Sequence, residues 1–370
     1  MKILFLADAR TYHTQRWVNY FVDRGHQCFF ISLERGSTES SSDGGLGTKA
    51  KEFFVPPKAV PHSLKYALSL PSIRGIVALI QPDLVNAHFV PNYGLIGALL
   101  KFHPLVISTW GSDVLISPKK TWLHKKRAEY ILAKADLVTA DAMVTAEAAC
   151  RLGAERGKVL VSPMGVQRNL IGRQKKSDVE DMGKKKPCLL VLSNRRLEPL
   201  YDVASLLKAV PLVMKAVKKD VRFVILGEGS EKEKLIHLTR RLGIESCVEF
   251  KGVVPRERLL QYYRDSDVYV SASKSDSTSV SLLEAMNFGL IPVVTDIPGN
   301  REWIKDQENG FLFATSDHKA LANVILYVID EFSHWAEFRL KNEGIIRSRA
   351  VWEDNMGEIE DGFRELVGRA

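Results

Sequence analysis

The sequence predicts an α/β protein built from two Rossmann-like domains, each a doubly wound parallel sheet, facing one another across a cleft. Three observations carry this expectation. The chain is 370 residues long, more than one compact core fills. In both halves short apolar, β-rich runs alternate with helical patterns, and the runs are continuous rather than alternately polar, as strands covered on both faces require. The alternation also restarts after a polar, Lys-rich stretch at 168–187, which reads as a linker.

In chain order, the first domain (1–167) offers strands over Lys2–Ala7, Cys28–Leu33, Leu84–His88, Leu105–Thr109, Leu137–Ala140 and Val159–Ser162. Amphipathic stretches at 13–24, 64–80, 119–134 and 143–152 predict the helices between them. Gly44-Gly45-Leu46-Gly47, with its Ser-rich approach, reads as a mobile loop. The second domain (188–344) offers strands over Cys188–Ser193, Arg222–Gly227, Val248–Lys251, Val268–Ala272 and Pro292–Asp296. The last fifty or so residues read as helical. Trp335, Trp352 and Phe363 are available there for docking, and the segment 345–370 is expected to pack back toward the first domain.

Composition narrows the class. Hydrophobic residues make up 45% and charged residues 26%, which excludes a disordered chain, a collagen-like repeat and a disulfide-stapled miniprotein. No apolar run reaches the roughly 18 residues of a spanning helix. The start meets charge at Lys2 and Asp8, too soon for a signal peptide. Cys28, Cys150, Cys188 and Cys247 lie far apart, without metal-ligand spacing. A reduced, cytoplasmic protein is the expectation.

The net charge of +8 is unevenly spread. Residues 1–167 hold 20 basic and 13 acidic side chains, 168–187 hold seven and three, and 188–370 hold 25 and 28. The densest cluster is Lys119, Lys120, Lys125, Lys126 and Arg127, around Trp122. Two readings fit it: a solvated helix face, or contact with an anionic membrane surface. No zinc-finger, RRM or helix-turn-helix pattern is present, so nucleic acid is not an expected partner.

In open α/β sheets, ligands bind beyond the carboxyl ends of the strands, so the chemistry should lie in those loops. The loop after the first strand, Asp8-Ala9-Arg10-Thr11, lacks glycine. Gly227-Glu228-Gly229 follows a strand, but Lys232 holds the third glycine position of the dinucleotide fingerprint; a tight strand-to-helix turn is the simpler reading. The richest constellation is Ser271–Asn300. There a strand ends in a polar loop carrying Asp276, and a helix starting near Ser279 carries Glu284. Amides of Ser277, Thr278, Ser279 and Val280 at that helix start favour an anion such as a diphosphate. An ordinary capped helix with a solvated Glu284 fits the same residues.

Leu283-Glu284-Ala285-Met286-Asn287-Phe288-Gly289-Leu290-Ile291-Pro292-Val293-Val294 resembles the acidic–x7–Glu motif of family 4 glycosyltransferases, retaining enzymes of GT-B fold. Asp276 stands at the family's first Glu and Ser277 at its Gly. Ser193-Asn194-Arg195-Arg196-Leu197-Glu198-Pro199 resembles the family's donor-phosphate loop. The resemblance implies Arg196 as diphosphate clamp, with Tyr201 where a Lys often follows. Phe250-Lys251-Gly252-Val253 resembles the loop whose backbone reads the nucleobase, which brings in Gly252 and Val253. Glu308-Asn309-Gly310 resembles the turn after the motif.

The first half is similar more loosely, through His13-Thr14-Gln15-Arg16-Trp17, Asn86-Ala87-His88 and Thr109-Trp110-Gly111-Ser112-Asp113. Trp110 stands where many members have His. His13, Arg16, His88 and Trp110 are thereby acceptor-side candidates, and Asp113 joins Asp276 and Arg196 as a catalytic candidate. Asp113 could equally be a helix cap, and His88 a core histidine.

The resemblance implies a retaining glycosyltransferase that moves a sugar from a nucleoside-diphosphate sugar to a glycan or lipid-linked acceptor hydroxyl, in cell-envelope polysaccharide, lipopolysaccharide or glycolipid synthesis. Asp276 would orient the sugar and Glu284 the ribose. Asp265-Ser266-Asp267 mimics a metal-binding D-x-D, but it sits just before a strand and reads as structural. No metal and no cofactor are then expected. A non-catalytic nucleotide-sugar-binding subunit, a phosphorylase or a GT-B sugar-nucleotide epimerase are the alternatives.

Overall fold

The computed structural model describes residues 1–35, 49–56, 62–172 and 188–369. The expected loop at Gly44–Gly47 and positions 173–187 of the expected linker lie outside them. Two compact units are present. One is Met1–Pro163 with the segment from Asp354 onward, and the other is Met164–Glu353. The first crossing therefore comes slightly before the expected boundary at 167. The return comes later than 345, because the helix Ala336–Arg349 packs within the second unit.

The first unit holds a seven-stranded sheet: β1 (Lys2–Leu6), β2 (Gln27–Ser32), β3 (Lys51–Phe54), β4 (Leu84–His88), β5 (Leu105–Thr109), β6 (Leu137–Ala140) and β7 (Val159–Val161). Its order is β3-β2-β1-β4-β5-β6-β7 and every pairing is parallel. The second unit holds β8 (Cys188–Asn194), β9 (Asp220–Leu226), β10 (Val248–Gly252), β11 (Val268–Ser271), β12 (Ile291–Thr295) and β13 (Phe311–Phe313). Its order is β10-β9-β8-β11-β12-β13, again parallel throughout.

The continuous apolar runs are explained by cores on both sheet faces. Consecutive side chains point to opposite faces of a strand. In the second unit Val191, Ile225, Val270 and Val293 join one core, while their neighbours Leu192, Val224, Tyr269 and Val294 join the other. In the first unit Leu4, Leu6, Ile31, Val85, Ile107 and Val138 share one such cluster.

Strand β3 was not predicted: it is a short edge strand that begins Lys51-Glu52 and lies largely in solvent. Strand β13 has only three residues. The expected helix at 64–80 is two helices, His62–Leu68 and Leu70–Ile80, with Pro71 in the first turn of the second, where proline is tolerated. The last helix, Trp352–Arg369, places Phe363 against Phe21 with parallel rings 5.1 Å apart, so the expected docking of the C-terminus on the first unit is observed.

In each sheet the strand order reverses once, between β1 and β4 and between β8 and β11. The loops leaving these four strands are where a doubly wound fold places a ligand.

Candidate functional site

In the second unit the switch point is formed by the loop after β8 and the loop after β11. The second of these leads into the helix Val280–Asn287. Its N-cap is Ser279, whose hydroxyl accepts from the Leu282 amide at 3.4 Å. Ser277, Thr278 and Ser279 are all buried. The sequence expectation of a helix start at Ser279 therefore holds, and the positive end of that helix lies at the sheet's carboxyl edge.

Asp276 is not left to solvent. Arg195, from the loop after β8, donates through Nη2 to Asp276 Oδ2 and through Nη1 to Ser279 Oγ (2.5 Å) and Ser281 Oγ (2.8 Å). Burial raises the Asp276 carboxyl above the usual range, while Arg195 and the Ser277 amide pull it back. Tyr201 lays its ring against the Arg195 guanidinium, 4.5 Å away. Arg196, the expected clamp, points outward: its side chain is 75% exposed, with Glu198 at 3.9 Å its ion-pair partner. An arginine held so loosely remains available to an anion.

Glu284 is buried in the helix, and Arg256 Nη2 donates to its Oε1 at 2.5 Å. The solvated-carboxylate reading of Glu284 does not survive this. Sequence reasoning overlooked Arg195 and Arg256. Each lies in a stretch rich in charge, and nothing local distinguishes them from solvated arginines. Gly252 and Val253, at the end of β10, are half-buried; Gly252 has a left-handed φ of 65° and its carbonyl accepts from the Gly227 amide at 2.8 Å.

The Gly227-Glu228-Gly229 turn also resolves. A Cβ on Gly227 would lie 2.5 Å from the Arg195 carbonyl oxygen, and one on Gly229 would lie 2.3 Å from that of Leu197. These glycines let two loops touch, so the tight-turn reading holds. Asp267, from the D-x-D look-alike, is 1% exposed and accepts from the Leu190 amide at 2.9 Å; Asp265 is engaged by Gln261. Among the described residues no cluster of three or more His, Cys, Asp or Glu could hold a metal ion.

In the first unit an aromatic cluster gathers from the end of β4, the residue after β5 and the helix Tyr12–Asp23 that follows β1. The His88 ring lies 5.2 Å from Trp110 and 5.4 Å from Trp17, and Trp110 lies 6.1 Å from His13. Asn86 donates its amide to Val106 O and Ser108 Oγ, which leaves Oδ1 to accept from His88 Nε2–H at 2.9 Å. That fixes the tautomer, so Nδ1 is an acceptor, and it has no partner among the described residues. Burial pushes this imidazole down to about 3, so it is neutral at pH 7. The Trp110 indole N–H is likewise buried without a partner.

Two expectations shift here. Asp113 is fully buried and accepts from the amides of Val90 (3.1 Å) and Trp110 (3.0 Å); burial lifts its carboxyl to about 6. These bonds tie the start of the helix Ser112–Leu115 to the segment after β4, as the helix-cap reading of Asp113 expects. Arg16 is buried, at 5% exposure, while His13 is exposed.

Comparison with known proteins places the chain among glycosyltransferases. The chain is similar, at 24% identity over 96% of its length and 95% of the relative's, to an uncharacterized glycosyltransferase, MJ1607, of Methanocaldococcus jannaschii. It is 32% identical, over 42% of its length and 30% of the relative's, to poly(ribitol-phosphate) alpha-N-acetylglucosaminyltransferase of Staphylococcus aureus. Its fold is that of Anabaena Alr3699/HepE, solved in complex with UDP and glucose (TM-score 0.80, 20% identity, 99% of this chain and 100% of that one). The chain is thus a glycosyltransferase of GT-B fold. More particularly, residues 174–339 match the family model of glycosyl transferases group 1, and residues 2–142 match that of glycosyl transferase 4-like proteins.

Proposed function

We propose that this glycosyltransferase is a retaining enzyme of family 4 that uses a nucleoside-diphosphate sugar, bound in the second unit, and an acceptor hydroxyl bound by the first. The observation that supports this most is the helix start at Ser279, with two carboxylates, half-buried Asp276 and buried Glu284, on either side of it. Amides at 277–280 and the outward Arg196 suit the diphosphate, by dipole and by charge-assisted hydrogen bonds. Glu284 suits the ribose hydroxyls, Asp276 a sugar hydroxyl, and the backbone at Gly252 and Val253 the base.

In this reading the acceptor oxygen bonds to the anomeric carbon on the face the diphosphate leaves. The C–O bond to phosphate breaks, and the acceptor's proton passes to the departing phosphate oxygen. Catalysis is then positional and electrostatic. Trp110 offers a stacking face, and His88 Nδ1 accepts from a sugar hydroxyl. HepE was solved with UDP and glucose, and the staphylococcal relative is named for a poly(ribitol-phosphate) acceptor, which favours a UDP-sugar and a polymeric, cell-envelope type of acceptor.

Titration calorimetry with UDP, GDP and ADP, followed by turnover of the matching sugars, tests the reading. One nucleoside diphosphate should bind, and Arg196→Ala should weaken it by about 1.5–3 kcal/mol, the worth of a hydrogen bond to a charge. NMR should find the product's anomeric configuration retained. No binding of any of the three, or an inverted product, would overturn it. Saturating EDTA should leave turnover unchanged, since Asp267 is spent on a backbone amide; loss restored by Mn²⁺ would count against this.

The first unit also suits an anionic bilayer as the place where a lipid-linked acceptor is met. No helix among the described residues is long and apolar enough to cross a membrane. On the helix Trp122–Leu132 and the turn before it, Trp122 (68%) and Leu123 (69%) stand exposed beside exposed Lys119, Lys120, Lys125 and Lys126. Apolar side chains amid cations fit an interface, and each Lys near an anionic leaflet contributes about 1 kcal/mol. The protein should sediment with anionic but not neutral vesicles at low salt. Lys119/Lys120/Lys125/Lys126→Glu should stay in the supernatant, and wild type staying there would end the proposal.

A further inference from the structure

We propose that Arg195 is the positioning residue of the sugar-binding loop, and through it a determinant of which donor sugar is accepted. This rests on the donor-site reading above and extends it to a residue outside the donor contacts proposed there.

The argument starts from where the guanidinium lies. Its side chain is 9% exposed, and that of Asp276 is 16% exposed. Burying a cation is costly unless it is paired and fully hydrogen-bonded. Here the acceptors of its two Nη groups come from one segment, Asp276 in the loop, Ser279 at the helix cap and Ser281 in the first turn, while its Nε is buried without an acceptor among the described residues. Tyr269, on β11, exchanges a further hydrogen bond with Ser281 Oγ at 2.9 Å. One planar group therefore joins the loop to the helix that follows it and holds the Asp276 carboxylate in one place, while the helix start keeps its own cap through the Leu282 and Leu283 amides on Ser279.

The other end of Arg195 is pinned as well. Its carbonyl sits where a Cβ on Gly227 would stand, 2.5 Å away, so the loop after β9 packs directly on the Arg195 main chain. Leu197, two residues on, donates its amide to Glu228 O at 2.9 Å and accepts from the Glu231 amide at 2.9 Å. Arg195 thus spans three strand-end loops, those after β8, β9 and β11. Tyr201 covers its face and limits the guanidinium to one plane.

The consequence for specificity follows from Asp276. Its Oδ2 is taken by Arg195 and its Oδ1 accepts from the Ser277 amide at 3.1 Å. Each oxygen keeps one further lone-pair direction, and both directions are set by groups of the protein. A sugar hydroxyl must come to that carboxylate; the carboxylate cannot turn to meet it. Epimers that place the hydroxyl elsewhere leave it unpaired, and a site built to hydrogen-bond a hydroxyl discriminates strongly against its absence. The nucleotide, held by other groups, does not sense this.

The test separates the two halves of the site. In Arg195→Met, UDP affinity measured calorimetrically should stay within about threefold of wild type. The kcat for the preferred UDP-sugar should fall about 30- to 100-fold, the scale of a misplaced positioning group. The ratio of kcat/KM between the preferred sugar and its epimers should collapse toward one. Arg195→Lys keeps the charge, and so the fold, but cannot span three acceptors. It should recover part of kcat with little recovery of the epimer ratio, and it carries the same readouts should the Met variant not fold. Asp276→Asn combined with Arg195→Met should be no worse than Asp276→Asn alone, because the arginine acts through that carboxylate. Wild-type kcat and sugar ranking in both arginine variants would overturn the proposal while leaving the donor site standing. Loss of UDP affinity equal to the loss of kcat would overturn it too, by making Arg195 a ligand contact. Failure of the wild-type protein to bind any nucleoside diphosphate would instead remove the donor-site reading, and this one with it.

Discussion

Replacing Glu360 by Gln should destabilise the first unit by about 2–3 kcal/mol at pH 7 and should free the C-terminal helix to proteolysis. Glu360 is 2% exposed and lies on the face of the helix Trp352–Arg369 that meets the first unit. It accepts from Arg364 Nη2 (2.6 Å), His26 Nε2 (3.0 Å), Arg24 Nε (3.1 Å) and the Tyr20 hydroxyl (3.3 Å). Breaking a wholly buried ion pair costs about 3–5 kcal/mol. The lower figure applies because Arg24 and Arg364 keep more than half of their side-chain surface in water and can be resolvated.

The pH dependence has a definite sign. Burial alone would raise the Glu360 carboxyl, but the hydrogen bonds from Arg364, His26 and Arg24 outweigh it and bring the group down to about 2. The folded value lies below the unfolded one of about 4.3. The contribution is therefore complete above that unfolded value and is lost as pH falls toward 2. Urea midpoints of wild type and Glu360→Gln should differ at pH 7, by roughly half as much at pH 3, and converge toward pH 2. A difference that is constant from pH 7 to pH 3 would show that the carboxylate's charge is not what holds the helix.

What the sequence showed and what it hid divide along a physical line. Buried parallel strands need continuous apolar runs, so eleven of the strands stand out, from Lys2–Leu6 to Ile291–Thr295. The edge strand β3 carries charge and faces water, and it looks like a loop. The helix start at Ser279 was legible because a cap is a local feature of sequence. Pairings over long sequence separations were not. Arg195 meets Asp276 across 81 positions, and Arg256 meets Glu284 across 28. Neighbouring arginines in sequence also part company in space: Arg195 turns inward while Arg196 turns out, which composition cannot foresee. Asp113 shows the same limit. The backbone partners of this acid, Val90 and Trp110, are seen only in the fold, because Val90 lies 23 positions away.

Gly299→Ala should cost the donor site about a hundredfold in turnover, although Gly299 carries no side chain to offer a ligand. A Cβ there would lie 2.5 Å from both the Asp276 and the Ser277 carbonyl oxygens, where real contacts need at least 3.0 Å. Neither side can give way easily. On one side Asn300 Nδ2 donates to the Thr295 carbonyl at 2.8 Å, which holds the turn Pro298–Arg301 against β12. On the other, Thr295 Oγ1 donates to the Ser273 carbonyl at 2.6 Å, which ties the start of the donor loop to the same strand. The added methyl therefore moves the segment 276–277 by a sizeable fraction of an ångström, and with it Asp276 and the amides at the helix start. Overpacking of this kind costs about 1–3 kcal/mol in stability. A displacement near 1 Å at reacting groups is worth about a hundredfold in rate. UDP affinity should fall as well, because the 277–280 amides move with the loop. Gly344→Ala is the matched control: it lies in the helix Ala336–Arg349 with nothing within 4 Å of its Cβ position, so it should leave turnover unchanged and stabilise by about 0.5–1 kcal/mol. Wild-type UDP affinity and turnover in Gly299→Ala, with the control behaving as described, would show that the loop at Asp276 does not set the donor geometry.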